Sequence, residues 1–275
     1  MGAHDMADPS AFRSRLIARE PLVGTFVKTP TTHATEILGA VGFDFVVIDE
    51  EHAPFDRLAT DTVLLAAKAA GISALVRVQS PAGILSVLDC GATGVLVPHV
   101  ATAATAREVA AACRYRGGRR GYSGSPRHAG YGAAGMWKTV DAADATTTVI
   151  AQIEDPEALD EIDAIAAVEG IDALFIGRGD LAVALGAKSS EAPEVRGVVQ
   201  RIGKAAREAG KPVCVFVGGK DEASWLQGEG ASAFVVASDQ SFIRKAGAQA
   251  LAEIRALGAA AGSDQAKAVS GEFRT

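Results

Sequence analysis

Several short apolar runs in this chain stop on side chains that can move protons or hold cations. The run Phe45–Ile48 is followed at once by Asp49, Glu50, Glu51 and His52, in FDFVVIDEEHAP. An Asp and a His three residues apart could share general acid–base work. Alternatively, acids at such a place suit a turn and the positive N-terminus of the next helix. In ALVRVQ, Arg77 sits inside an apolar stretch, where a charge needs a partner or a ligand. A buried ion pair would satisfy it, and so would a carboxylate or enolate oxygen. Glu154 closes the run in TVIAQIEDP, and Asp180 follows Gly177 and Gly179 in ALFIGRGDLAVALG. Each acid alone could simply cap its following helix. Together they offer hard oxygen ligands to Mg²⁺ or Mn²⁺. With Arg77 and the bare glycine backbone they make a constellation that could hold an α-keto acid on a metal.

Other polar residues are open to plainer readings. Asp89, in SVLDCG, reads as a helix end or a turn, with the alternative of orienting an imidazole. His99, in LVPHV, rivals His52 as a base but also reads as an ordinary core or surface histidine. His128 and the arginines Arg116, Arg119, Arg120 and Arg127 fall in a Gly- and Arg-rich stretch. They read as surface or subunit-interface residues, with holding a distal carboxylate as the alternative.

These residues need elements to position them. Eight short apolar runs, Leu22–Val27, Phe45–Asp49, Ala74–Val78, Gly94–Pro98, Val149–Ile153, Ala173–Ile176, Val213–Val217 and Ala233–Ala237, are continuous rather than alternating. That is the pattern of parallel strands covered on both faces. Helix-like segments lie between and after them: Thr32–Val41, Leu58–Ala70, Ala82–Asp89, Thr102–Arg114, Pro156–Val168, Val195–Ala209, Lys220–Gly228 and Gln240–Leu257. Eight right-handed βα units predict a closed (β/α)8 barrel, with a doubly wound open sheet as the alternative. In such a barrel the C-terminal strand ends carry the active site, which is where the candidate residues fall. About Tyr115 to Ala145 no strand is legible, and long loops of this kind are functional or disordered. The domain reading is an N-terminal extension over 1–20, one barrel domain over 21–258 and a flexible tail over 259–275.

Composition narrows the function classes. The 275 residues carry 27 Lys and Arg against 33 Asp and Glu, a net charge of -6. With no long basic tract, nucleic-acid binding through phosphate neutralisation is disfavoured. The apolar runs fall short of the roughly 20 residues that span a bilayer, so no membrane partner is expected. Cys90, Cys113 and Cys214 form no CxxC pair. That fits a reducing cytoplasm better than a disulfide scaffold.

The motifs GTFVKTP, FDFVVIDEEHAP, VRV, GVLVPHV, RYRGGRRGYSGSPRHAGYG, QIEDPEAL and IDALFIGRGDLAVALG occur in one order between Pro21 and Ile254. In this combination the chain resembles the HpcH/HpaI aldolases, the class II pyruvate aldolases that include 2-dehydro-3-deoxyglucarate and 4-hydroxy-2-oxoheptanedioate aldolases. The resemblance implies a barrel of the phosphoenolpyruvate/pyruvate type, with a C-terminal helix exchanged between chains and a homo-oligomer, a hexamer. It implies a divalent metal, Mg²⁺, Mn²⁺ or Co²⁺, held by Glu154 and Asp180. Arg77 would stabilise an enolate oxygen. His52 would be the general base, oriented by Asp89, with Asp49 behind it. Backbone N–H groups of Gly179 and Asp180 would hold the substrate carboxylate. The partners would be a keto acid and an aldehyde, joined or cleaved through an enolate.

Two positions complicate that picture. A Schiff-base route would need a lysine at a strand mouth, and only Lys28 stands there. Where relatives carry a small or apolar pair before the sixth-strand acid, this chain has Arg178–Gly179. Arg178 would either draw an anionic acceptor or point to solvent. Related reactions on CoA esters or decarboxylation of oxaloacetate keep the same fold and metal. A non-catalytic binding barrel would reduce the acids and His52 to caps and ion pairs.

Overall fold

The computed structural model describes residues 11–271, and side chains over residues 11–257. Eight parallel strands close in sequence order into one barrel: β1 Leu22–Val27, β2 Phe45–Asp49, β3 Ser73–Arg77, β4 Gly94–Val97, β5 Thr148–Ile153, β6 Ala173–Ile176, β7 Val213–Val217 and β8 Ala231–Ser238. The expected (β/α)8 architecture is therefore present and the open doubly wound sheet is not.

Residues alternate between two cores. Phe45, Val47, Leu75, Leu96, Ile150, Ala173, Phe175, Cys214, Ala233 and Val235 fill the barrel interior. Val46, Ile48, Val76, Val97, Ala151, Leu174, Ile176 and Val215 pack outward against the helical ring. Period-two alternation hands the next inward position of several strands to a polar residue. After Phe45 and Val47 comes Asp49, after Leu75 comes Arg77, and after Ile150 comes Gln152 and then Glu154. The apolar layers thus end at the mouth in a ring of functional side chains. Across β2 and β3 the register pairs Asp49 with Arg77 directly, so the two side chains emerge together.

Helix α1, Phe12–Ile17, seals the opposite end of the barrel. Phe12 and Leu16 are buried, and the Phe12 ring lies 5.3 Å from that of Phe45. Part of the segment expected to be a mere extension is therefore core; residues 1–10 lie outside the described residues. Around the barrel run α2 Thr32–Val41, α3 Arg57–Ala70, α4 Ile84–Asp89, α5 Ala103–Cys113, α6 Met136–Thr146, α7 Ile162–Ala166, α8 Arg178–Ala184, α9 Pro193–Glu208, α10 Lys220–Gly228 and α11 Asp239–Gly271. The stretch without a legible strand holds a 3-10 turn at Arg127–Gly132 and then α6. α11 runs on as helix to Gly271, through most of the segment expected to be a flexible tail. Residues 272–275 of that tail lie outside the described residues. Among the described residues no helix is long and apolar enough to cross a membrane. Cys90, Cys113 and Cys214 are free and buried, and burial pushes the Cys113 and Cys214 thiols up to about 12.

Candidate active site

At the base of the mouth Asp49 is fully enclosed. Arg77 meets it as a fork: Nε donates to Oδ1 at 2.9 Å and the terminal Nη2 donates to Oδ2 at 2.8 Å. Lys28 Nζ lies 3.0 Å from Oδ2, and the His52 backbone N–H donates to Oδ1 at 3.2 Å. Burial alone would raise the Asp49 pKa, but the bonds and charges of Arg77 and Lys28 outweigh it and hold the carboxyl below its usual range. Asp49 is therefore held towards its anionic form and fixes Arg77, whose guanidinium also lies 4.8 Å from the Phe26 ring centroid. Lys28 is engaged by the same anion.

Glu154, one residue beyond β5, is buried. Gln152 donates through its side-chain amide to Glu154 Oε2, and the His99 backbone N–H donates to Oε1 at 2.9 Å. Burial pushes the Glu154 carboxyl above the usual carboxylate range, and the negative charge of Asp180 pushes the same way against those two donors. His99 adopts a left-handed backbone, φ 56°, which an L-residue holds only when its surroundings demand it. That conformation places its N–H on Glu154. Its ring is exposed, with Nδ1 3.1 Å from Asp155 and 3.5 Å from Glu154. Burial lowers the His99 pKa, but the Asp155 hydrogen bond and the charges of Glu154, Asp155 and Glu51 carry it above the ordinary value.

Gly177 is required here by space, because a Cβ would stand 2.5 Å from Glu154 Cβ. It leads from β6 into α8, whose second and third residues are Gly179 and Asp180. Their N–H groups belong to the first helical turn, which has no intrahelical acceptors, and are free for an anion. Phe26, Arg77, Gln152, Gly177, Gly179 and Asp180 line one cavity of about 260 Å³ with Arg178, Ser190 and Phe216. That is below the ~300–1,000 Å³ typical of drug-sized ligand sites, and it suits a small substrate.

The structure thus brings Asp49, Arg77, Glu154, Gly179 and Asp180 to one mouth, with His52 at its rim. His52 is exposed, and its Nε2 lies 3.7 Å from Glu51. Asp89 does not join them. It ends α4 on the outer flank of the barrel, 3.4 Å from His128 Nδ1 and 3.8 Å from Arg120. Among the described residues its charged contacts are those two side chains, and His52 is not one of them. The long loop that lends it His128 and Arg120 lies far along the sequence, and no local spacing announces the contact. Sequence reasoning also left Glu51, Gln152 and Lys28 out of the set. Glu51 lies 3.3 Å from Arg77, and Glu51, His99 and Glu154 offer ligand atoms within 4.8 Å of one another. The available signal was the inward alternation that places Gln152 two residues before Glu154. Arg178 neither reaches solvent nor awaits an anion: it is buried and paired with Glu191 at 2.5 Å and Glu222 at 2.7 Å.

Known proteins resemble this chain in sequence and fold. The profile described as HpcH/HpaI aldolase/citrate lyase matches residues 22–246. A 5-keto-4-deoxy-D-glucarate aldolase of Shigella dysenteriae serotype 1 (strain Sd197) is 35% identical over 246 residues, covering 86% of this chain and 94% of the relative. Among solved structures, an HpcH/HpaI aldolase/citrate lyase family protein from Burkholderia cenocepacia J2315 superposes with a TM-score of 0.84 at 32% identity, covering 90% of this chain and 99% of that one. The citrate synthase SbnG superposes at 0.82 with 30% identity, covering 90% and 98%. Fold and relatives define a carbon–carbon lyase of the aldolase class. The chain belongs to the HpcH/HpaI aldolase/citrate lyase family.

Proposed function

We propose that this aldolase reversibly cleaves 4-hydroxy-2-oxo acids to pyruvate, or a close analogue, and an aldehyde. The observation that carries this reading is the convergence of Arg77, Asp180 and the α8 amides on one small cavity, with buried Glu154 close enough to feel the charge of Asp180. A buried acid whose pKa is pushed up by burial and by the charge of a second acid suits a divalent cation, Mg²⁺, Mn²⁺ or Co²⁺. Glu154 and Asp180 are the ligands we favour, with Glu51, His99 and Glu154 as the rival set. When bound, the cation supplies Lewis-acid polarisation of the keto oxygen.

The chain's own groups do the rest. The N–H groups of Gly179 and Asp180 receive the substrate carboxylate. Arg77, held still by Asp49, faces the oxygen on which enolate charge develops; a preorganised donor of that kind is worth about 3–4 kcal/mol. His52, directly or through water, takes the proton from the C4 hydroxyl as the C3–C4 bond breaks. Any imidazole-orienting role of Asp89 would have to come from a second copy of the chain, in keeping with the homo-oligomer and exchanged C-terminal helix expected of a hexamer. Ile243, Leu251, Ile254 and Leu257 of α11 are exposed in the single chain, which supports that assembly. A cytoplasmic location fits the three free cysteines. The small cavity favours this reading over a CoA-ester substrate, and the converging acids favour it over a non-catalytic barrel. The test is exchange of pyruvate methyl protons with D₂O, dependent on added metal and lost in Glu154→Ala.

A further inference from the structure

Arg178, the first residue of α8, lines the cavity at the mouth. Its guanidinium ties three segments of the mouth together. Nη1 donates to Glu191 at 2.5 Å, in the connection between α8 and α9. Nη2 donates to the Phe216 carbonyl of β7 at 2.8 Å and lies 2.7 Å from Glu222 in the first turn of α10. Glu191 also holds Arg196 at 2.9 Å, and Glu222 accepts the Gly218 backbone N–H. Two cations therefore face two carboxylates, and the local charge is balanced before any ligand arrives.

One donor is left over. Arg178 is only 5% exposed and lines the cavity beside Ser190 and Phe216, yet its Nε has no hydrogen-bond partner among the described residues. A buried N–H without a partner costs about 1–3 kcal/mol, so a ligand oxygen there would relieve a standing penalty. An incoming carboxylate would gain that bond too, but it would also meet Glu191 and Glu222, whose charges Arg178 and Arg196 already match. An uncharged oxygen gains the bond without the repulsion.

We propose that Arg178 is the specificity-determining residue for the acceptor. Its free Nε–H receives a hydroxyl oxygen, and Glu191 and Glu222 turn the subsite towards uncharged hydroxyaldehydes and away from aldehydes that carry a carboxylate. This rests on the aldolase reading above. It reverses what Arg178 suggests in the bare sequence, where an arginine at the mouth points to an anionic acceptor.

The experiment measures condensation of pyruvate with three probes: glyceraldehyde, propionaldehyde and succinic semialdehyde. In the unmodified protein with Mg²⁺ or Mn²⁺, kcat/KM for glyceraldehyde exceeds that for succinic semialdehyde by roughly tenfold or more. Glu191→Gln and Glu222→Gln, each removing one negative charge, narrow that ratio by raising the rate with succinic semialdehyde. Arg178→Met lowers kcat/KM for glyceraldehyde more than for propionaldehyde, which has no hydroxyl to lose. A preference for succinic semialdehyde in the unmodified protein, or a ratio that neither glutamine variant moves, overturns the proposal. Exchange of pyruvate methyl protons without any acceptor separates the two levels of the account. Exchange with the wrong acceptor preference removes only the role of Arg178, whereas no exchange removes the aldolase reading beneath it.

Discussion

Two of the places where this barrel sets a carboxylate beside an arginine, one enclosed and one half-buried, are built to different standards. At the mouth, Asp49 and Arg77 meet through a two-point fork at 2.9 and 2.8 Å, with Lys28 adding a third contact. On the flank, Asp89 lies 3.8 Å from Arg120 and 3.4 Å from His128 without a hydrogen bond to either. Asp89 Oδ1, Arg120 Nε and His128 Nδ1 are all buried and unpartnered. Burial pushes Arg120 below its ordinary value, and burial with the nearby Arg120 charge does the same to His128. The Asp49–Arg77 pair is completed within one chain, whereas the flank holds polar groups that the chain alone does not satisfy. That is the difference between a preorganised ion pair and a cluster of polar groups left unsatisfied.

Breaking the finished pair has the largest expected effect. Arg77→Ala removes the donor to the enolate oxygen and should lower pyruvate exchange by about 10²–10³-fold. It also strands Asp49 as a buried charge, at a stability cost of roughly 3–5 kcal/mol. Exchange rates and urea unfolding read the two losses separately. A variant that loses activity with unchanged stability would contradict the pairing.

The metal ligands come next. Loss of a direct ligand should exceed the roughly 10–100-fold fall in affinity typical of residues one step further out. Titration of Mn²⁺ into Asp180→Ala should show that loss, and into His99→Ala a smaller one. The opposite order would move the site to Glu51, His99 and Glu154.

A smaller effect is the acid limb of stability. Because the folded Asp49 carboxyl lies below its unfolded value of about 3.9, its contribution is fully present above about pH 4 and is lost as pH falls towards the folded value. Thermal melts from pH 6 to pH 3 should fall more steeply for the unmodified protein than for Asp49→Asn. Parallel curves would mean that Asp49 is not held as an anion.

The smallest effect belongs to the flank. Asp89→Ala should cost no more than the roughly 1–3 kcal/mol of a buried group left unsatisfied, because its own contacts are loose. A loss equal to that of Arg77→Ala would erase the contrast drawn between the two regions.

The contrast also marks what could be read from the sequence. Seven of the eight expected strands coincide with observed ones to within a residue at either end, because continuous β-branched runs leave little choice of period. The eighth, expected over Ala233–Ala237, starts two residues earlier at Ala231. Arg77 was legible because a charge in an apolar strand stands out, and Glu154 and Asp180 because strand ends point at the mouth. α6 was not, since its polar, Thr-rich helix has exposed Met136 and Trp137 and no clear apolar stripe. α8 was hidden by the glycines that precede its acid. The contacts of Asp89 were not legible because its neighbours come from a loop some thirty to forty positions away, nor were those of Arg178, whose partners Glu191 and Glu222 belong to two other segments. Strand order and inward alternation are local properties of the sequence, whereas the identity of a salt-bridge partner is not.

The central claim is that this mouth forms an enolate from pyruvate. Its most direct test follows the methyl resonance of pyruvate by proton NMR in D₂O, with the protein, with Mg²⁺ or Mn²⁺, and with or without chelator. The account predicts metal-dependent loss of the signal, stopped by chelator and by Glu154→Ala. A folded protein that leaves the methyl protons in place with every metal tried would contradict it.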